Sequence, residues 1–345
     1  MKEGVNMKYK FGFLAAVSSC ALLVGLAGVS SAQTNLTTVR LGLGYIPDVQ
    51  FAPFYAAQEA GYYKAKGLNV TFQHGFTSEL YPLLASGKLD FVVGDAEDVI
   101  LLRTKDPKAT PFKYLMALYQ VTPNALFSKR EKNITKLADL KGKSIGIPGK
   151  FGSSWTSLQA ILAGANLKET DVKIVEVGFT QLEALTANRV DAVMGFVNNE
   201  AVIAEARGLK LNIFSAAVVN KSPSNGVIAV DDTLKNEALV KGFLEASQRG
   251  VKLTIDNTKQ AFDYAKKFVP NMSGDRLKIL EKSVKLYQSN FSKADSQGIG
   301  FSNPNNWEYA LALLKSLGRI DKDAKLKRSE FYTNKYLTVG IQAAK

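Results

Sequence analysis

Lys143-Ser144-Ile145-Gly146-Ile147-Pro148-Gly149 is the stretch on which the fold turns. A short apolar run stopped by Pro-Gly reads as a buried strand, and a helical pattern follows over about 154–163. This strand–loop–helix unit in mid-chain restarts a pattern that has already run once. Before it, strands are expected over 39–44, 68–72, 91–93 and 114–119, alternating with helical patterns over 54–65, 81–86 and 96–103. After it come strands over 173–177, 192–195, 211–215 and 227–230, with helices over 180–188 and 200–207. From Asp232 on, apolar residues recur at three- and four-residue spacing over 233–250, 258–268, 274–288 and 304–317, which reads as helix.

Alternating strands and helices argue for α/β layers with largely parallel sheets. Two such blocks, about 37–120 and 125–220, precede a helical section that has no strands and must pack on one of them. The simplest arrangement is a discontinuous first lobe, 37–120 plus 226–345, with 125–220 inserted as the second. Segments near 119–127 and 219–226 would then cross between lobes as a hinge over a ligand cleft.

The composition removes most catalytic classes. Among 345 residues there is one histidine, His74, and one cysteine, Cys20. A zinc site of the Cys/His kind needs three or four such ligands. A cysteine protease, a disulfide framework and an iron–sulfur cluster fail on the same count. His74 could serve a Ser-His-Asp triad, but no G-x-S-x-G elbow accompanies it. No metal, cofactor or catalytic residue is expected, and His74 reads as a structural or surface histidine.

Residues 1–32 differ from the rest. Lys8 and Lys10 precede an apolar run from Phe11 to Gly28, and Ser30-Ser31-Ala32 supplies a small-residue cleavage site. That is the layout of a secretory signal, so an exported, periplasmic or cell-surface protein is expected. Val17-Ser18-Ser19-Cys20 resembles a lipobox, which leaves lipid anchoring through Cys20 open beside simple removal. The net charge of +13 comes from scattered lysines with no arginine-rich stripe, and with an export signal it does not point to nucleic acid.

In parallel α/β sheets ligands bind beyond the carboxyl ends of strands, so candidates sit in the loops after them. The first block offers Tyr45, Asp48, Phe51, Asp95 and Tyr119. The second offers Phe151, Ser153, Ser154 and Trp155, then Phe179, then Phe196, Asn198, Asn199 and Glu200. Two readings compete. The Gly-Ser-rich helix start at 149–154, beside Lys150, could seat a sulfonate or phosphate on free N–H groups, or could be simple N-capping by Ser153 or Ser154. Six aromatics in strand-end loops, Tyr45, Phe51, Phe151, Trp155, Phe179 and Phe196, would instead grip a flat heterocycle. Asn, Gln and Asp side chains would then read its edge.

Several segments carry a family resemblance. They are Leu43-Gly44-Tyr45-Ile46-Pro47-Asp48-Val49-Gln50-Phe51-Ala52-Pro53-Phe54-Tyr55-Ala56-Ala57, Glu59-Ala60-Gly61-Tyr62-Tyr63, Gly87-Lys88-Leu89-Asp90-Phe91, Leu140 to Pro148, Arg189-Val190-Asp191-Ala192-Val193, Asn198-Asn199-Glu200, and Phe331-Tyr332-Thr333-Asn334-Lys335-Tyr336-Leu337. In order along nearly the whole chain after residue 32, they resemble the solute-binding proteins of ABC importers. Within those they are similar to the family shared by thiamin-pyrimidine, riboflavin and alkanesulfonate binders.

The resemblance implies a two-lobed periplasmic binding protein fold of type II, a monomer, a small-molecule ligand and delivery to a membrane permease. It favours riboflavin, then a thiamin pyrimidine precursor, with an alkanesulfonate or taurine-type anion as the alternative. It extends a binding role to Tyr45, Asp48, Asn198 and Glu200. Fungal thiamin-pyrimidine synthases share the fold, but their cysteine-rich motif is missing here, so an enzyme is not expected.

Overall fold

The structure is a computed structural model that describes residues 35–272, 275–291 and 297–342. The expected export signal at 1–32 and the lipidation of Cys20 lie outside the described residues.

The first sheet is built from β1 (Thr37–Leu43), β2 (Leu68–His74), β3 (Phe91–Asp95), β4 (Phe112–Ala117) and β10 (Asn225–Val230) in the order β2-β1-β3-β10-β4. Val39, Leu41 and Leu43 alternate along β1 and are fully buried on one face, as a half-buried strand requires. The second sheet comprises β5 (Asn124–Lys129), β6 (Ser144–Ile147), β7 (Lys173–Glu176), β8 (Ala192–Phe196) and β9 (Leu211–Ser215) in the order β7-β6-β8-β5-β9.

Both sheets are mixed. In each, the strand in fourth position is the one that has just arrived from the other sheet, and it runs antiparallel to its neighbours: β10 against β3 and β4, β5 against β8 and β9. The chain passes from the first sheet to the second between Ala117 and Asn124, and returns between Ser215 and Asn225. β5 has no expected counterpart in the sequence reading. Its six residues, Asn-Ala-Leu-Phe-Ser-Lys, are all buried, so no alternation marks it, and its polar ends resemble a loop.

Helices flank both sheets: α1 (Ala52–Glu59), α2 (Thr77–Ala85) and α3 (Ala96–Lys105) with the first, and α4 (Gly152–Gly164), α5 (Gln181–Thr186) and α6 (Glu200–Ala206) with the second. The C-terminal helices are α7 (Glu237–Asp256), α8 (Thr258–Ala265), α9 (Asp275–Phe291) and α10 (Pro304–Ser316). α7 and α8 pack on α1, and α10 on α3. Gly250 lets α7 lie against α1, because a Cβ there would stand 2.0 Å from the Pro53 carbonyl oxygen.

The expectation that this section rests on one block needs correction at α9. That helix packs both on the 3-10 turn Val49–Phe51 of the first block and on α6 of the second. Ser283 of α9 accepts a 2.8 Å hydrogen bond from Asn198 there. Among the described residues no helix is long and apolar enough to cross a membrane.

Candidate functional site

The carboxyl ends of the parallel strands in the two sheets face each other across a cavity of about 80 Å³. From the first sheet it is lined by Gly44 and Tyr45 after β1, Gln50 and Phe51 of the 3-10 turn, Thr77 of α2, Val93 and Asp95 of β3, Leu118 and Tyr119 after β4, and Asn225 of β10. From the second come Pro148, Phe151, Gly152, Ser153 and Ser154 after β6, Phe179 and Gln181 after β7, Gly195 and Phe196 of β8, and Asn199 and Glu200 at the start of α6.

Five of the six expected aromatics are therefore on the lining. Phe179 meets Tyr45 edge-on at 4.6 Å between centroids, and Phe76 stacks on Phe179 at 4.1 Å while touching Phe151 edge-on at 5.6 Å. These rings from both sheets form one continuous wall. Across from it, Phe196 packs edge-on to Tyr119 at 6.4 Å. Phe76 is absent from the sequence reading because it follows β2 as a single apolar residue before a helix, which looks like packing.

Trp155 is the correction among the aromatics. It lies one turn into α4 with its ring 5% exposed, in the core with Leu158, Ile145 and Leu126, away from the cavity. A helix that starts at Gly152 turns the side chain at 155 towards the sheet beneath it.

Two polar expectations are corrected as well. Asp48 is fully buried behind the lining, where its Oδ1 accepts from the Val49 N–H at 2.6 Å and its Oδ2 pairs with Arg276 of α9 and faces Asn199 Nδ2 at 3.4 Å. Burial pushes its carboxyl up, and the Arg276 charge opposes that. Asn198 also lies behind the lining, donating to Tyr119 Oη at 3.2 Å and to Ser283 Oγ at 2.8 Å. Both residues brace the site from outside it.

The helix start at 149–154 carries the most informative correction. The Ser153 N–H, which an anion would need, donates to Asp95 Oδ2 at 3.0 Å. Lys150 points elsewhere, with its ammonium 5.3 Å from the Trp155 ring centroid and 4.0 Å from Glu169. The hydroxyls of Ser153 and Ser154 are tied to Asn124 of β5 at 2.9 and 2.8 Å. The protein's own carboxylate occupies this helix start.

Charge and acceptors dominate the lining. Asp95 and Glu200 contribute carboxyls, and among the described lining residues there is no lysine, arginine or histidine. Burial pushes the Glu200 carboxyl up, while the Phe196 N–H at 2.8 Å and the Tyr45 hydroxyl at 3.2 Å pull it back. Three further acceptors, Gln50 Oε1, Asn199 Oδ1 and Asn225 Oδ1, are buried with no hydrogen-bond partner in the protein. The Asn225 and Asn199 amides are oriented by donation of their nitrogens to Asp95 and Asp48, which leaves their oxygens free to accept. A buried acceptor without a partner costs about 1–3 kcal/mol, so three around one cavity mark a place where donors are wanted.

Behind Asp95 the first turn of α3 holds two more buried acids. Burial raises Glu97 to about 8 and Asp98 to about 7, with the Asp95 charge adding to both. Asn220 donates to Glu97 Oε1 at 3.1 Å from the returning crossover. His74 lies behind Tyr45 and Phe51: Nδ1 is 3.0 Å from the Tyr45 carbonyl and Nε2 is 3.1 Å from Tyr55 Oη. The neutral Nδ1–H tautomer satisfies both contacts, and burial lowers its pKa.

Residues 48–261 match the family described as NMT1/THI5 like, which takes in the lining from Gln50 to Asn225. The chain belongs to the NMT1/THI5-like family. Within it, the chain is 32% identical to the riboflavin-binding protein RibY of Chloroflexus aurantiacus, over 91% of this chain and 90% of that protein. It is 24% identical to a 4-amino-5-hydroxymethyl-2-methylpyrimidine phosphate synthase of Legionella pneumophila, over 87% of this chain and 92% of the relative. The architecture is that of the periplasmic binding proteins. The periplasmic aliphatic sulphonate binding protein SsuA from Escherichia coli superposes with a TM-score of 0.64 at 16% identity, covering 87% of this chain and 99% of that one. So members of the NMT1/THI5-like family named as binders and as enzymes both resemble this chain, and the site has to separate them.

Proposed function

We propose that this protein is the exported solute-binding component of an ABC importer and captures a flat, donor-rich heterocycle, riboflavin first, between two hinged lobes. The carrying observation is the pairing of an aromatic wall with unpartnered acceptors. Tyr45, Phe179 and Phe151, backed by Phe76, offer faces and edges to a ring system, while Gln50, Asn199 and Asn225 offer unpartnered amide oxygens and Asp95 and Glu200 carboxyls to its rim. Riboflavin carries a ring N–H and a polyhydroxylated tail whose hydroxyls can donate, beside ring carbonyl oxygens and nitrogens that accept. A thiamin pyrimidine precursor, with its exocyclic amine, is the second member of the same chemical class. The similarity to RibY supports the first of these.

Loading requires movement. The cavity volume of about 80 Å³ is below the roughly 150 Å³ that suffices for benzene, so a flavin would be taken up as the two faces part. The segments 118–123 and 216–224 are the two strand-to-strand passages about which residues 37–120 plus 226–345 would open from 125–220. A membrane permease would receive the ligand on reopening.

A carrier is preferred over a synthase because the one histidine is engaged by Tyr45 and Tyr55 behind the lining, which supports a structural role. A thermal-shift screen with riboflavin, thiamin, its pyrimidine, taurine and nitrate tests the reading. Ligand at 100 times Kd should stabilise by about 2.7 kcal/mol. A shift with sulfonates alone would refute it.

A further inference from the structure

We propose that Asp95 sets the charge class of the ligand: its carboxylate fills the helix start where a ligand anion would sit, so the site rejects sulfonates and phosphates, including the phosphorylated form of its own heterocycle. This deepens the heterocycle reading of the cavity and rests on it.

Asp95 ends β3 of the first sheet, and its side chain reaches across to the second. Oδ2 accepts from the Ser153 N–H at 3.0 Å, and Oδ1 accepts from Asn225 Nδ2 at 2.9 Å, so both oxygens act as acceptors while the residue is 5% exposed. The backbone has been shaped to let it in. Gly152, the first residue of α4, has φ +68°, and a Cβ there would lie 3.0 Å from Asp95 Oδ2. A helix of 13 residues concentrates positive dipole at this end, and Asp95 answers it from within the protein.

The surroundings reinforce the sign. Glu200 contributes a second carboxyl to the same cavity, and the amide oxygens of Gln50, Asn199 and Asn225 can only accept. Lys150, Arg276 and Arg319 have partners outside the lining: Lys150 meets Trp155 and Glu169, Arg276 Asp48, and Arg319 Gln159. At neutral pH a sulfonate has acceptor oxygens and no donor, a phosphate monoester is mostly the dianion, and either would meet the carboxyls of Asp95 and Glu200 without a compensating cation among the described lining residues. Like-charge juxtaposition in a closed site costs several kcal/mol, which is ample for exclusion.

The test is calorimetric titration of the purified protein, wild type and Asp95→Ala, with riboflavin, flavin mononucleotide and ethanesulfonate. The wild type should take up riboflavin saturably and show no saturable heat with the two anions. Removing the carboxylate frees the Ser153 N–H, and ethanesulfonate affinity should rise by at least about tenfold over wild type. Should Asp95→Ala fail to melt cooperatively, Asp95→Asn removes the charge but keeps an acceptor on the Ser153 N–H, so a smaller gain in ethanesulfonate affinity over wild type is expected. Saturable ethanesulfonate or flavin mononucleotide binding by the wild type overturns the proposal, as does a folded, neutral variant with no gain. A wild type that ignores riboflavin while its Asp95 variants gain sulfonate affinity would refute the heterocycle reading and leave the charge assignment standing.

Discussion

The hydroxyl of Tyr45 donates to Glu200 Oε1 at 3.2 Å, tying the loop after β1 of the first sheet to the start of α6 beside the second. The same tyrosine ring meets Phe179 of the second sheet edge-on. One side chain therefore contributes both to the aromatic wall and to the contact between the two faces. Tyr45→Phe keeps the ring and loses the hydrogen bond to a carboxylate, which is worth about 1.5–3 kcal/mol. Riboflavin affinity should fall by roughly tenfold in a fluorescence titration, and Tyr45→Ala should lower it further.

Trp155 and Phe179 should part company on mutation. Trp155 is core, so Trp155→Ala should lower stability by about 3–5 kcal/mol while the folded protein binds riboflavin within about twofold of wild type. Phe179 is on the lining, so Phe179→Ala should cost affinity instead. Urea denaturation with parallel binding measurements separates the two, and loss of affinity in folded Trp155→Ala would return that ring to the site.

The Asp48–Arg276 pair links the 3-10 turn at 49–51 to α9 with the carboxylate fully buried. Arg276→Met leaves that carboxylate without its cation, and breaking such a pair costs about 3–5 kcal/mol. The double change Asp48→Asn with Arg276→Met should recover part of the loss, because the uncompensated charge is gone. Equal loss in the single and double variants, read by denaturant melts, would show that the pair is not the source.

Glu97 makes stability depend on pH in a stated direction. Burial raises its carboxyl to about 8, so below that the folded state keeps a proton that the unfolded chain has released. Its stabilising contribution is complete below the ordinary glutamate range and is lost as pH rises through about 8. Asp98, raised to about 7, acts with the same sign over a lower window. The lowered pKa of His74 acts below its ordinary value and so stays out of the range above pH 7. Thermal melts between about pH 7 and 8 should show a falling midpoint in the wild type, levelling at higher pH, and a flatter profile in Glu97→Gln. An unchanged slope in that variant would contradict the assignment.

The sequence puts the passages near 119–127 and 219–226 where the structure has 118–123 and 216–224, and the alternating blocks and most of the lining loops can be read from short apolar strands followed by helical spacing. β5 could not, because a strand buried on both faces shows no alternation. The same limit applies inside the site. Strand-end position brought Tyr45, Phe51, Phe151, Phe179, Phe196, Asn199 and Glu200 to the lining, yet it could not tell that Asp48 and Asn198 turn behind it. Those orientations are decided by Arg276 and Ser283 of α9, more than 75 residues away in sequence. Asn225 stands just before the strand expected over 227–230, in an Asn-Gly pair that is a turn signal, and its amide is held by Asp95, 130 positions earlier.

The central claim is that the acceptor-rich, aromatic-walled cavity holds a flat heterocycle. Titration of riboflavin with the purified protein, followed by quenching of flavin fluorescence, tests it most directly. Saturable one-to-one quenching, untouched by ethanesulfonate, is expected. Absence of quenching at any protein concentration, together with saturable binding of a sulfonate, would contradict it.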